Sequence, residues 1–105
     1  MIKVKVEKDG DRYLGFSCKG HAGYADYGSD IICSAISMLV INTINSIESL
    51  TDCQMQVSDD EKSGSIRVKF PNGTDTSAAL LMNAMLLGIQ SAEEQYGRSF
   101  VKLEM

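Results

Sequence analysis

Residues 2–19 read IKVKVEKDGDRYLGFSCK. Ile2, Val4 and Val6 alternate with Lys3, Lys5 and Glu7, the period-two pattern of a strand with one face buried and the other in water. Asp9-Gly10 sits at the midpoint. An Asp-Gly pair between alternating runs is a strong hairpin signal, because glycine supplies the positive φ of a tight turn. The return strand is expected from Arg12 to about Lys19, with Leu14, Phe16 and Cys18 on its apolar face. Strands that are apolar on one side only belong to a sheet covered on that side, normally an antiparallel one.

The rest of the chain extends that layer. Gly20 to Ser29 reads as a loop, and Ser29 or Asp30 can cap a helix that runs to about Ser49. Ile32, Ile36, Leu39, Thr43, Ile47 and Leu50 recur there at spacings of three and four, a helical period. Cys53, Met55 and Val57 then alternate with Gln54, Gln56 and Ser58. Ile66, Val68 and Phe70 alternate with Arg67 and Lys69 after an acidic turn at residues 59–64. Pro71-Asn72-Gly73 breaks the chain, Thr74 or Asp75 opens a second helix through Tyr96, and Gly97 stops it. Val101 and Leu103 mark a closing strand. The expected fold is α+β in two layers: a ββαββαβ order, a mostly antiparallel five-stranded sheet, and two helices on one face. The second helix carries more Leu and Met than one face needs, which suits either a deeply buried core helix or a subunit interface.

With 105 residues the chain reads as one domain, 1–105, able to bury roughly two-thirds of its unfolded surface without staples. A formal charge of −4 argues against nucleic acid as the main partner, since phosphate binding needs a basic face. The N-terminus lacks the unbroken apolar stretch of a signal peptide, and polar residues interrupt Ile31–Ile47, so neither export nor a membrane span is expected. Three cysteines cannot all pair within one chain, and reduced thiols in a cytoplasm are the expectation.

The chemistry concentrates in residues 20–37, GHAGYADYGSDIICSAIS, which hold the only histidine. Cys33 falls in the first turn of the first helix, where unpaired amides and the helix dipole favour a negative charge and can bring a thiol from about 8.5 towards 7. Strand parity sends His21 away from the core side that takes Cys18, so it can project towards the thiol. A Cys/His nucleophile pair and an inert lone histidine beside a packed cysteine both fit this spacing. Cys18 and Cys53 continue apolar strand faces and read as structural. Paired zinc-ligand spacing and phosphate-loop motifs are both absent, and Asp26 and Asp30 would repel an anion. Gly23, Tyr24, Tyr27 and Gly28 lie in the segment between the pair. Its glycines permit unusual backbone angles and its tyrosines suit covering an aromatic-rich peptide, so this segment is expected to gate the site.

Gly20-His21-Ala22, an aspartate-bearing loop, Gly28, the block Asp30-Ile31-Ile32-Cys33, and Ser37 one turn on closely resemble the signature of the ribosomal-processing cysteine protease family, Prp. Length and element order are similar too. The resemblance implies a cytoplasmic bacterial endopeptidase that removes a short hydrophobic N-terminal extension, ending in a phenylalanine pair, from large ribosomal subunit protein twenty-seven. It implies Cys33 as nucleophile, His21 as general base and acid, no cofactor, no metal and a homodimer. Asp30 then either orients His21 or caps the helix, and capping is favoured. Ser37 either bonds near the thiol or back to a helix carbonyl, and helix-start amides are expected to offer an oxyanion hole. A peptide-binding module that never cleaves is the alternative; thiol redox sensing by Cys33 lacks an obvious resolving partner.

Overall fold

A two-residue turn, Gly10-Asp11, with Gly10 at φ 62°, joins β1 (Ile2–Asp9) to β2 (Arg12–Lys19). The computed structural model describes residues 1–20, 30–60 and 62–105, and continues with α1 (Ile31–Leu50), β3 (Gln56–Asp60), β4 (Ser65–Lys69), α2 (Thr76–Tyr96) and β5 (Val101–Glu104). The five strands form one sheet in the order β3-β4-β2-β1-β5. Every neighbouring pair is antiparallel except β1 with β5, which run parallel because α2 carries the chain back over the sheet. The expected two-layer α+β fold is the one observed.

Both helices cover one sheet face. Ile32, Ile36, Val40, Thr43, Ile44 and Ile47 of α1 and Ala78, Met82, Met85, Leu86 and Ile89 of α2 are buried against Val4, Phe16, Val68 and Val101. Full burial of such an aliphatic side chain stabilises by about 1.5–3 kcal/mol relative to exposure. By length and composition α1 could cross a bilayer, but its apolar face is spent on this core. Leu50, expected on that face, is exposed at the last residue of the helix. Gly88 lets α2 approach α1 closely: a Cβ there would stand 3.0 Å from the Leu39 methyl groups.

Two strand expectations need correction. Glu7 pairs with Gly15 and Lys8 with Tyr13, so Leu14 is an extra residue in β2, a bulge that reverses the parity before it. Tyr13 is 4% exposed in the core and Leu14 is 36% exposed on the outside, the opposite of the alternating pattern. Tyrosine suits the inward position because its ring fills the core while its hydroxyl donates to Asn83 Oδ1. The bulge is held by Thr74, whose Oγ1 accepts from Tyr13 N at 3.0 Å and whose amide donates to Tyr13 O at 3.1 Å. With Thr74 so used, Asp75 caps α2 by accepting from Ala78 N at 2.7 Å. The second correction concerns β3, which starts at Gln56 rather than Cys53. Cys53 and Met55 pack half-buried against the core instead of pairing, and all five residues of β3 are exposed along the sheet edge.

Candidate active site

The site is built where β2 ends and α1 begins. Gly20 leaves β2 at φ 92°, and a Cβ there would overlap the Met1 carbonyl oxygen. No other residue fits that position without moving backbone. Gly20 thus fixes how the chain leaves β2. His21, Gly23, Tyr24, Tyr27 and Gly28 lie outside the described residues.

The chain is described again from Asp30, which is 5% exposed and caps α1. Its Oδ1 accepts from Ile32 N at 3.0 Å and from Cys33 N at 3.1 Å. Its backbone carbonyl accepts from Ser34 N and from Ser34 Oγ, both at 3.2 Å. Of the two candidate caps, Ser29 and Asp30, the aspartate takes the position, and capping is a role it demonstrably performs. Cys33 is the third residue of α1 and half-buried, as the first-turn reading requires.

This cap corrects the expected oxyanion hole. The amides of Ile32, Cys33 and Ser34 are already bound to Asp30, which leaves Ile31 as the one amide of the first four not so engaged. A buried carboxyl group therefore shares the positive end of the helix with whatever charge develops at Cys33. Ser37 is exposed one turn on, and among the described residues its hydroxyl makes no hydrogen bond. The hydroxyl that bonds back at the helix start belongs to Ser34, a residue the pattern reading passed over. Ser next to the first-turn cysteine, four residues after an N-cap, was the available signal.

The other two thiols are set apart by their surroundings. Cys18 sits on the core side of β2, opposite Val4 and Ile66. Burial pushes it up to about 11, with the negative charge of an ionised Cys33 as a further cause. The two thiols therefore sense one another across the junction of β2 and α1. Cys53 is also raised, by burial first, and its Sγ lies 3.7 Å from the Gly73 carbonyl oxygen. Both stay protonated near neutrality and serve packing. Among the described residues no three His, Cys, Asp or Glu side chains gather into a metal site.

A half-buried thiol at a capped helix start, with its two fellow cysteines held neutral, makes Cys33 the candidate nucleophile of the three. Residues 1–101 match the family described as Cysteine protease Prp. The chain belongs to the cysteine protease Prp family. It is 29% identical over 100 residues, 94% of each chain, to the ribosomal processing cysteine protease Prp of Staphylococcus aureus. The crystal structure of that protease from S. aureus, described as essential and holding a covalently linked product peptide, superposes with a TM-score of 0.88 at 27% identity, over 99% of this chain and 98% of the other. SMU.848 from Streptococcus mutans superposes with a TM-score of 0.85 at 32% identity, over 99% of this chain and 92% of the other. As a Prp family member the chain is a cysteine peptidase.

Proposed function

We propose that this chain is a bacterial cytoplasmic endopeptidase that removes the N-terminal extension of large ribosomal subunit protein twenty-seven, with Cys33 as nucleophile and His21 as general base and acid. The observation that carries the reading is the half-buried Cys33 at the third position of α1. The S. aureus relative, in a structure named for ribosomal processing and a covalently linked product peptide, supports it.

In this reading His21 takes the Cys33 proton and the thiolate attacks the scissile carbonyl carbon. The tetrahedral intermediate collapses to a thioester as the C–N bond breaks, and His21 gives the proton to the departing amine. Water, deprotonated by His21, then releases the acid and restores the thiol. Oxyanion donors come from Ile31 N and from groups other than the amides of Ile32 and Cys33, which Asp30 already holds. No cofactor or metal takes part.

The enzyme acts as a homodimer. Leu80 and Leu87 of α2, one above the other at i and i+7, are 68% and 67% exposed, and Met38 and Ile41 of α1 are exposed as well. Such a surface suits a second copy of the chain.

Incubation with a peptide carrying the phenylalanine-pair extension tests the reading by mass spectrometry. Two separate fragments, cut after the phenylalanine pair, are expected. An intact peptide that nevertheless binds would identify a non-catalytic docking module instead.

A further inference from the structure

The side chains that alternate with buried Val4, Phe16, Val68 and Val101 project from the sheet face away from the helices. They include Lys3, Lys5, Lys19, Arg67, Lys69 and Lys102, six of the ten cations in the chain. Among the described strand residues the carboxylates Glu7, Asp9, Asp60 and Glu104 share that face, while the two helices carry Glu48, Glu93 and Glu94 and no lysine or arginine. The formal charge of −4 is an average over two unlike surfaces.

The placement works against the fold. Lys3 stands directly opposite Lys19 on β2 and directly opposite Lys102 on β5. Like charges in register across strands disfavour pairing, a cost that Glu104, opposite Lys5, offsets only at this end of the row. Glu104 bridges to Lys102 at 3.3 Å and to Lys3 at 3.9 Å, and is held below its ordinary range chiefly by the hydrogen bond from Lys102. Among the described residues Lys5, Lys19, Arg67 and Lys69 have no carboxylate within ion-pair distance. Lys5, Arg67 and Lys69 line one depression of about 510 Å³, in which Glu7 is the single carboxylate and Gly15 contributes no side chain.

We infer that this outer sheet face binds single-stranded RNA through its phosphates. Strands about 4.8 Å apart and a two-residue repeat of about 6.7 Å set the cations on a grid that matches a linear polyanion better than one carboxylate. An RNA strand offers an ionised group at every residue, and the Arg67 fork can take a phosphate with two parallel hydrogen bonds. An acidic peptide would need an unbroken acidic run to do the same. None of the outward residues is aromatic, so bases are not stacked and binding is independent of sequence. The molecule is 20 Å through its shortest axis, against a screening length of about 8 Å in physiological salt, so the acidic helix side does not repel a strand on the sheet.

Fluorescence anisotropy of a labelled 20-nucleotide oligouridylate, titrated with the purified protein between 50 and 200 mM salt, tests this. Nonspecific affinity of about 10⁻⁴–10⁻⁶ M is expected, and four phosphate contacts on a single strand give a log–log salt slope of about −3. Reversing three of the four unpaired cations, Lys5→Glu with Arg67→Glu and Lys69→Glu, should weaken binding at least tenfold and flatten the slope to about −1. Lys5→Gln with Arg67→Gln and Lys69→Gln serves if the reversal variant fails to fold, and Lys62→Glu should change nothing. No anisotropy rise at the lowest salt, equal binding by the neutralised variant, or equal competition by polyglutamate of matched charge would overturn the assignment. Peptide cleavage is a separate measurement and bears on none of these outcomes.

Discussion

The Cys33 amide donates to Asp30 Oδ1 at 3.1 Å, so the proposed nucleophile and a nearly buried carboxyl group are tied through the first turn of α1. The same oxygen accepts from Ile32 N. Asp30 thereby orders the backbone from which the thiol projects, and it occupies amides that a helix start would otherwise offer to substrate.

Replacing Asp30 separates its hydrogen bonds from its charge. Asp30→Ala removes the cap, which costs about 1 kcal/mol and should lower the melting temperature by about 4–8 °C. Asp30→Asn keeps an oxygen for both amides and should melt close to the parent. If Asn melts as low as Ala in thermal circular dichroism, the cap is not what Asp30 contributes.

Alkylation should rank the thiols. Cys18 and Cys53 are both raised, so at pH 8 iodoacetamide is expected to label Cys33 first, read by peptide mapping. Labelling that begins at Cys18 would contradict the arrangement.

Cys18 also makes stability depend on alkaline pH. Its folded value of about 11 lies above the ordinary thiol value of 9.0, so between those limits the folded chain holds the proton more tightly than the unfolded chain. Stability is therefore full below pH 9 and falls as pH rises to 11, by about 2 kcal/mol. Urea midpoints across that range should drop for the parent and drop less for Cys18→Ala. Cys33→Ala, which removes the neighbouring negative charge, should move the Cys18 titration down.

Cys33→Ala should abolish peptide cleavage with the fold retained, and His21→Ala should slow it by roughly 10²–10⁴-fold. Near-parental turnover by either variant would remove that residue from the proposed chemistry.

Gly20→Ala should destabilise at a position that bears no functional group. It meets both a strained φ and the Met1 carbonyl, and a cost of about 1–3 kcal/mol is expected. Gly88→Ala is the comparison: its new methyl meets only the flexible end of Leu39, which can shift. Equal losses in the two variants would show that contact with the chain start is not special.

Most of the fold was legible because alternation and helical spacing report which side of an element is buried. Asp9-Gly10, the two helices and the closing strand needed nothing more. The bulge was not legible, since Tyr13-Leu14 offers two apolar residues and the choice between them depends on Thr74 and Asn83, both some sixty to seventy residues away. The start of β3 was hidden for a related reason: Cys53 and Met55 alternate like a strand, but bury by packing at the sheet margin. At the site, the first-turn position of Cys33 followed from the cap and the helical period. The occupation of its amides by Asp30 did not follow, because a capping pattern does not say what else an amide is free to bind.

The exposed edge strand β3 ends in Asp59-Asp60 and pairs with β4 on one side only. Its open side is a template onto which another extended chain could add, and paired carboxylates there act as gatekeepers against self-stacking. The whole molecule loses its net repulsion near a calculated isoelectric point of 4.8, which leaves this local guard to keep the edges apart. Asp59→Asn with Asp60→Asn should accordingly make concentrated samples form fibrils under conditions where the parent stays dispersed.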